Sequence, residues 1–460
     1  VRDFLVLTLR QIQQATQGKL IQGDPSRTIQ GVSIDSRKIR RQDLFIAIRG
    51  ARHDAHRFIP QVIEKGVRAL VVSRKIRAPS SVSVIYVKDT TKALGHIASF
   101  HRQRFDIPVI AVTGSAGKTT TKEMIAGVLS SKYKVLKNLK TENNHIGVPL
   151  TLLRLNKSVQ VAVIEFGTNQ FGDIPWLAKI TMPTVAVFTN IGEAHLQGLK
   201  NKNGVFREKF SLVSFMDPKG IIIYNADDKV LRRIVQKKLT QKKITFGIRY
   251  RAHLQASRLF RRNNRIGFYV KGHPFTVASM ARHNVYNALA AISCGSLFKI
   301  PYNKISKNIT KFKYGGGRLH VIRCGRMTVI DDTYNANPLS LESAVETLNV
   351  FETKGQRIVI CADMLELGKE SQRLHRQIGA FMATKNIDYV LTYGNQARFI
   401  QEGLKEHKGK RYTYHTKDRQ QLHQRLKAVC GPECVVLVKG SRSMGMEQTV
   451  GFLKTEFSKS

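Results

Sequence analysis

Apolar positions along the chain follow two alternating rhythms. Short continuous apolar runs, bounded by Pro, Gly, Asp or Asn, read as buried strands, and between them apolar residues return at helical spacing. In residues 1–105 the runs at 44–48 and 69–72 are predicted strands, and 58–66 a helix. From 106 to 314 strands are expected at 109–113, 159–164, 184–189 and 220–224, followed by antiparallel hairpins over 252–278 that turn at Asn263 and Asn264. A helix over 282–291 puts Val285, Leu289 and Ile292 on its apolar side, so His283, Asn284 and Asn287 are expected away from the core. Strand runs resume at 327–330, 357–361, 389–392 and 435–438. Just before them, Gly315, Gly316 and Gly317 form the clearest hinge signal in the chain. Alternation of this kind predicts an α/β protein built on mostly parallel sheets with crossover helices. Three domains are expected, at 1–105, 106–314 and 315–460, the last a Rossmann-like unit that closes over the middle one.

The run at 109–113 carries the most chemistry. It ends in Gly114, Ser115, Ala116 and Gly117, and Lys118, Thr119 and Thr120 open a helix on which Met124, Ile125, Val128 and Leu129 share a side. Strand, glycine turn and helix N-terminus together form a phosphate cradle. Loop amides and the positive helix end face the anion, Lys118 reaches its outer phosphates, and the Thr119 hydroxyl can ligate Mg2+. Val112 stands where the full phosphate-loop pattern has its first glycine. A central sheet like that of P-loop ATPases follows.

In open α/β sheets ligands bind beyond the carboxyl ends of the strands. Two such ends place Glu165 and His195 in the same mouth as the loop, where both are candidate Mg2+ ligands, although imidazole is an unusual partner for so hard an ion. Asn284 and Asn287 could read an adenine edge or cap their helix. In the first domain, Ser33, Ser36 and Arg37 suit a phosphate or a uracil edge, and equally suit a turn.

Composition changes this picture at one point. Lys and Arg total 76 against 32 Asp and Glu, a net charge of +44. Such an excess raises a nucleic-acid-binding ATPase as a rival reading. The basic excess runs through all three segments without a recognisable nucleic-acid motif, so nucleic acid is not the expected partner, and the charge favours anionic nucleotides instead. No apolar run approaches the length of a membrane span. The first nine residues lack a basic region and cleavage site, so no signal peptide is expected. Five cysteines without a CxxC pair point to reduced thiols and a cytoplasmic setting. Cys361, in an apolar strand, is expected to be a buried small residue, not a nucleophile.

Taken together, these segments resemble the Mur ligases of bacterial cell-wall synthesis. The resemblance spans nearly the whole chain: Asp35-Ser-Arg37, the loop from Thr113 to Thr120, Asn143-Asn-His-Ile-Gly-Val-Pro149, Glu165-Phe-Gly-Thr-Asn169 and Ala194-His-Leu-Gln-Gly198. It continues through His283-Asn-Val-Tyr-Asn287, Asp332-Thr-Tyr-Asn-Ala-Asn-Pro338, Asp363-Met-Leu-Glu-Leu-Gly368 and Lys439-Gly-Ser-Arg442. The Tyr-Asn-Ala-Asn-Pro and Asp-Met-Leu-Glu-Leu-Gly segments resemble the dipeptide-adding member. The Asp-Asn-Pro-Arg of the diaminopimelate- or lysine-adding relatives, the nearer alternative, is absent.

The resemblance implies an ATP-dependent ligase that joins D-alanyl-D-alanine to UDP-N-acetylmuramoyl-tripeptide through an acyl phosphate, with Mg2+, as a cytoplasmic monomer. It implies that Gly114, Ser115, Ala116, Gly117, Lys118, Thr119 and Thr120 hold phosphates, and that His283, Asn284, Asn287, Arg318 and Asp332 contact the rest of ATP. Thr119, Glu165, His195 and a carbamylated Lys209 would hold Mg2+, with Lys118, Lys209 and His195 as the catalytic set. Ser33, Ser36 and Arg37 would meet the UDP end, and Asn335 and Asn337 the dipeptide.

Overall fold

The computed structural model describes residues 6–50, 53–139, 141–406 and 412–457. Part of the signal-peptide reading, at residues 1–5, lies outside the described residues.

The strand leading into the glycine turn is the centre of the largest sheet. Val109–Thr113 has all five residues buried, as a strand covered on both faces should. It lies between Val161–Glu165 and Val185–Phe188, parallel to both. Val135–Lys137 edges one side. On the other, Ile221–Asn225, Lys242–Gly247 and Leu254–Arg262 continue in parallel, and Arg265–Val270 and His273–Val277 add two antiparallel strands to make nine. The hairpin turns at Asn263 and Asn264, both at left-handed φ (50° and 57°), the conformation a tight two-residue hairpin turn demands. Strand alternation sends Ile110 and Val112 to one face, where Met124, Ile125, Val128, Val285, Leu289 and Ile292 of two helices cover them. Val109 and Ala111 face the other way, onto Ile174 and Leu177.

Val112 pairs with Glu165 on one side and Val187 on the other. The strand therefore runs straight through the position of the missing glycine, and the turn begins only at Gly114. Connections depart to opposite sides of this strand, which opens a crevice at its carboxyl end.

Besides a two-stranded pairing of Leu7–Thr8 with Thr28–Ile29, two larger sheets accompany the nine-stranded one among the described residues. A five-stranded sheet orders Lys19–Gln22, Ser83–Tyr86, Ala69–Val72, Asp43–Ile46 and Gly31–Ser33, with only the first pair antiparallel. A six-stranded sheet orders His320–Cys324, Met327–Asp332, Val435–Lys439, Arg357–Ala362, Tyr389–Tyr393 and Tyr412–Thr416, again with one antiparallel edge pair. The helix expected at 58–66 starts as a 3-10 turn at Ala55–Phe58, capped by the Asp54 carboxylate, and becomes α-helical at Ile59–Glu64. Pro60 in its first turn explains the break, because it has no N–H to donate. Among the described residues no helix is long and apolar enough to cross a membrane. All five cysteines are free and buried, and burial pushes the Cys361 thiol up to about 12.

Candidate active site

The helix Lys118–Leu129 begins at Gly117, whose φ of 78° suits glycine and whose missing Cβ would stand 2.6 Å from Asn287 Oδ1. No side chain caps this N-terminus. The first-turn amides have no intrahelical acceptor, so they and the positive helix end remain available to an anion. The turn itself is clamped from behind. Ser115 N donates to Asn190 O at 3.0 Å, and Ala116 N to Asn190 Oδ1 at 2.8 Å. Thr189 Oγ1 and Asn190 Nδ2 both donate to Ala116 O. The Ser115 and Ala116 amides are thus engaged by the neighbouring strand end, while the first-turn amides at the helix start are left without an intrahelical acceptor.

Lys118 Nζ donates to Gly114 O at 3.0 Å, which folds the side chain back over the turn. Burial pulls its pKa down, opposed by the Glu165 carboxylate and assisted by the Arg318 guanidinium. Glu165 is 1% exposed and accepts from Thr119 Oγ1 and Asn143 Nδ2, each at 2.7 Å. A buried carboxylate met by two neutral donors, beside a hydroxyl, is a hard oxygen pair that suits a small divalent cation. His195 lines the same cavity, and its Nδ1 lies 2.6 Å from Glu366 Oε2, leaving Nε2 as the open ring nitrogen. Burial lowers its pKa, so the imidazole tends toward the neutral form that can ligate a metal.

Lys209 is 1% exposed and lies behind this group, outside the cavity lining. Burial, then the Lys118 charge, holds its pKa well below the ordinary lysine value, while Glu208 and Glu165 oppose the shift. A neutral amine is the form in which a lysine can be carbamylated.

His283, Asn284 and Asn287 also line the cavity. Contrary to expectation, Asn284 and Asn287 are buried, at 2% and 4% exposure. They bond to each other, and Thr121 Oγ1 donates to Asn287 Oδ1 at 3.1 Å, so the pair joins two helices under the loop. His283 Nδ1 meets Ser343 Oγ, and burial lowers its pKa to about 4.

The six-stranded unit supplies the remaining wall. Arg318 lies over the Tyr334 ring at 3.8 Å, and its Nη2 donates to Thr119 Oγ1 at 3.1 Å. Asp332 is held by Lys439 Nζ at 2.5 Å and by the Leu319 amide. Asn337 caps the helix Pro338–Asn349 through Ser340 N and donates from Nδ2 to Ser115 O at 3.2 Å, so it touches the glycine turn directly. Asn335 is exposed at the rim. These residues enclose a cavity of about 900 Å³, large enough for a nucleotide and more.

Ser33, Ser36 and Arg37 lie apart from it. Ser33 Oγ exchanges hydrogen bonds with the Asp35 backbone, and the Arg37 guanidinium forks onto the Asp35 carboxylate at 2.9 Å through two nitrogens. That pairing holds the half-buried Asp35 carboxyl at about 2. Sequence reasoning missed Asn143, Asn190 and Glu366 as partners of the site. Asn143 and Glu366 stood within segments already singled out, but no local pattern reveals what they touch.

Family models match three stretches of the chain: "Mur ligase family, catalytic domain" at 28–102, "Mur ligase middle domain" at 112–295, and "Mur ligase, glutamate ligase domain" at 317–442. The UDP-N-acetylmuramoyl-tripeptide–D-alanyl-D-alanine ligase of Bacillus subtilis is 35% identical over 448 residues, 96% of this chain and 97% of that protein. A crystal structure of MurF from Acinetobacter baumannii superposes with a TM-score of 0.91 at 31% identity, covering 99% of this chain and 100% of that one. MurF ligase from Thermotoga maritima, solved in complex with ADP, has the same fold, with a TM-score of 0.84 at 24% identity over 93% of this chain and 98% of that one.

Proposed function

The chain belongs to the Mur ligase family, and on that premise we propose that it joins D-alanyl-D-alanine to UDP-N-acetylmuramoyl-tripeptide at the expense of ATP, in peptidoglycan precursor synthesis. The observation that carries the reading is the uncapped helix start at Gly117, with Lys118, Thr119 and Glu165 converging on it inside one cavity. The ADP held by the Thermotoga relative supports ATP as the nucleotide.

In this reading the terminal carboxylate of the tripeptide attacks the γ-phosphorus of ATP. The bond to ADP breaks and an acyl phosphate forms. The amine of D-alanyl-D-alanine then attacks the acyl carbon and loses a proton, and the tetrahedral adduct expels phosphate as the peptide bond closes. The first step crowds anions together, so its barrier depends on fixed positive charge. Lys118 and the first-turn amides of Lys118, Thr119 and Thr120 supply it from the central domain, and Arg318 from the C-terminal one. The turn of Gly114, Ser115, Ala116 and Gly117 sets the shape of the cradle.

Thr119, Glu165, His195 and a carbamylated Lys209 would hold Mg2+, which when bound neutralises phosphate charge. His283, Asn284, Asn287 and Asp332 shape the nucleotide end, and Asn335 and Asn337 the dipeptide end. Residues 1–105, through Ser33, Ser36 and Arg37, receive the UDP end; 106–314 bind ATP; 315–460 close over it and receive the dipeptide. A cytoplasmic monomer completes the reading.

The test is phosphate release with UDP-muramoyl tripeptide and ATP, offering D-alanyl-D-alanine, diaminopimelate, lysine or DNA in turn. Turnover that requires the D-alanyl dipeptide is expected. Turnover with a single amino acid, or stimulation by DNA alone, overturns it.

A further inference from the structure

Glu366 belongs to the six-stranded unit and His195 to the nine-stranded one, yet they share a short polar contact. His195 Nδ1 and Glu366 Oε2 are 2.6 Å apart, and Gln197 N donates to Glu366 O at 3.0 Å. Both partners have left-handed backbones, His195 at φ 55° and Glu366 at φ 64°. That region is disfavoured for residues with a Cβ and persists where surroundings impose it, as they do at working sites. Gly368 follows at φ 56°, with Gln197 Cα 3.3 Å from where its Cβ would be, so the two segments approach backbone to backbone.

The segment carrying Glu366 is stiffly mounted. Asp363 accepts from the amides of Asn395, Gln396 and Ala397. Met364 N donates to His375 Nε2 at 3.0 Å, and Leu365 N to Ser441 Oγ at 2.8 Å. Glu366 itself, 51% exposed at its side chain, has no role in packing that would explain this mounting.

We propose that Glu366 is a positioning residue: by holding His195 through Nδ1 it fixes which ring nitrogen and which ring orientation are offered to a divalent cation, and ties that offer to docking of the C-terminal domain. A carboxylate on the far nitrogen of a metal-binding histidine sets both tautomer and aim. Since Glu366 arrives on another domain, cation binding and docking favour each other reciprocally. The proposal rests on the reading of His195 as a Mg2+ ligand.

The test measures Mn2+ affinity by electron paramagnetic resonance on the full-length protein with a non-hydrolysable ATP analogue, in wild type, Glu366→Ala, Glu366→Gln, His195→Ala and Gln197→Ala. Glu366→Ala is expected to weaken Mn2+ binding about ten-fold. Glu366→Gln, whose amide oxygen can still accept from Nδ1, should recover part of the loss. Gln197→Ala keeps the backbone bond and should match wild type. Unchanged affinity in Glu366→Ala, with a loss in His195→Ala, overturns the positioning role alone. Unchanged affinity in His195→Ala overturns the ligand reading beneath it. Small-angle scattering on the same samples should show Mn2+ compacting wild type more than Glu366→Ala; equal compaction counts against the coupling.

Discussion

The glycine turn at 114–117, with Lys118 and Thr119 directly after it, and the serine-rich turn at 33–37 draw on the same kinds of residue, hydroxyls and one cation, yet their surroundings oppose each other. In the first, Lys118 is drawn into low-dielectric surroundings next to an uncapped helix end, and its charge acts on Lys209 and His195. In the second, Arg37 is exposed and already forked onto Asp35. A charge in the first place is worth far more than one in the second, where water screens it. The first turn is therefore suited to stabilising a transition state, the second to binding that can be exchanged.

The largest effect expected from this contrast is at Lys118. Lys118→Ala should lower kcat about 10³-fold in the phosphate-release assay while thermal unfolding shows an intact fold. Comparable kcat in the variant would remove the contrast altogether. Next comes Lys209→Ala, expected below about one-hundredth of wild-type activity. Wild-type turnover should fall when bicarbonate and CO2 are stripped from the buffer and return when they are restored, and full activity in the variant would dismiss carbamylation. At the exposed turn, Arg37→Ala should raise KM for the UDP-linked substrate about ten-fold with kcat nearly unchanged, the signature of uniform binding. If kcat fell as well, the 33–37 turn would have to act on the chemistry.

The smallest effect concerns stability. His283 stays neutral in the folded protein down to about pH 4, whereas its ordinary value is 6.5. Between these values the unfolded chain binds the extra proton, so stability is full above 6.5 and declines as pH falls toward 4. Melting curves across that window should show a drop that is smaller in His283→Gln. Identical pH profiles would mean that His283 is not held neutral by burial.

The buried central strands were legible because they announce themselves locally: 109–113 and 435–438 are apolar runs closed by Gly or Lys, whereas Val135–Lys137, Lys242–Gly247 and Tyr412–Thr416 carry no such run and were not expected. Glu165 was legible for the same reason, since a strand end fixes where its side chain emerges. The glycine turn was half legible. Its helix start behaves as the spacing implies, but the clamp by Asn190 joins residues 74 apart and leaves no trace in local pattern. Asn284 and Asn287 were misjudged because helical periodicity assigns polar residues to the outside. Here they satisfy one another beneath a loop, which burial permits when the hydrogen bonds are complete. Glu366, 171 residues from His195, stood in a segment that the family resemblance singles out, yet only the fold reveals its partner.

Among the described residues four side-chain hydrogen bonds bridge the cavity mouth: Arg318 to Thr119, Asn337 to Ser115, Ser343 to His283, and Glu366 to His195. Each joins a residue of the nine-stranded unit to one beyond Gly315–Gly317, the hinge proposed for the chain, so none would survive a wide opening there. ADP and a bulky nucleotide product must nonetheless leave by that route. The same bonds that shield an acyl phosphate from water thus set a toll on exit, and slackening them should speed release while letting the activated intermediate leak to hydrolysis.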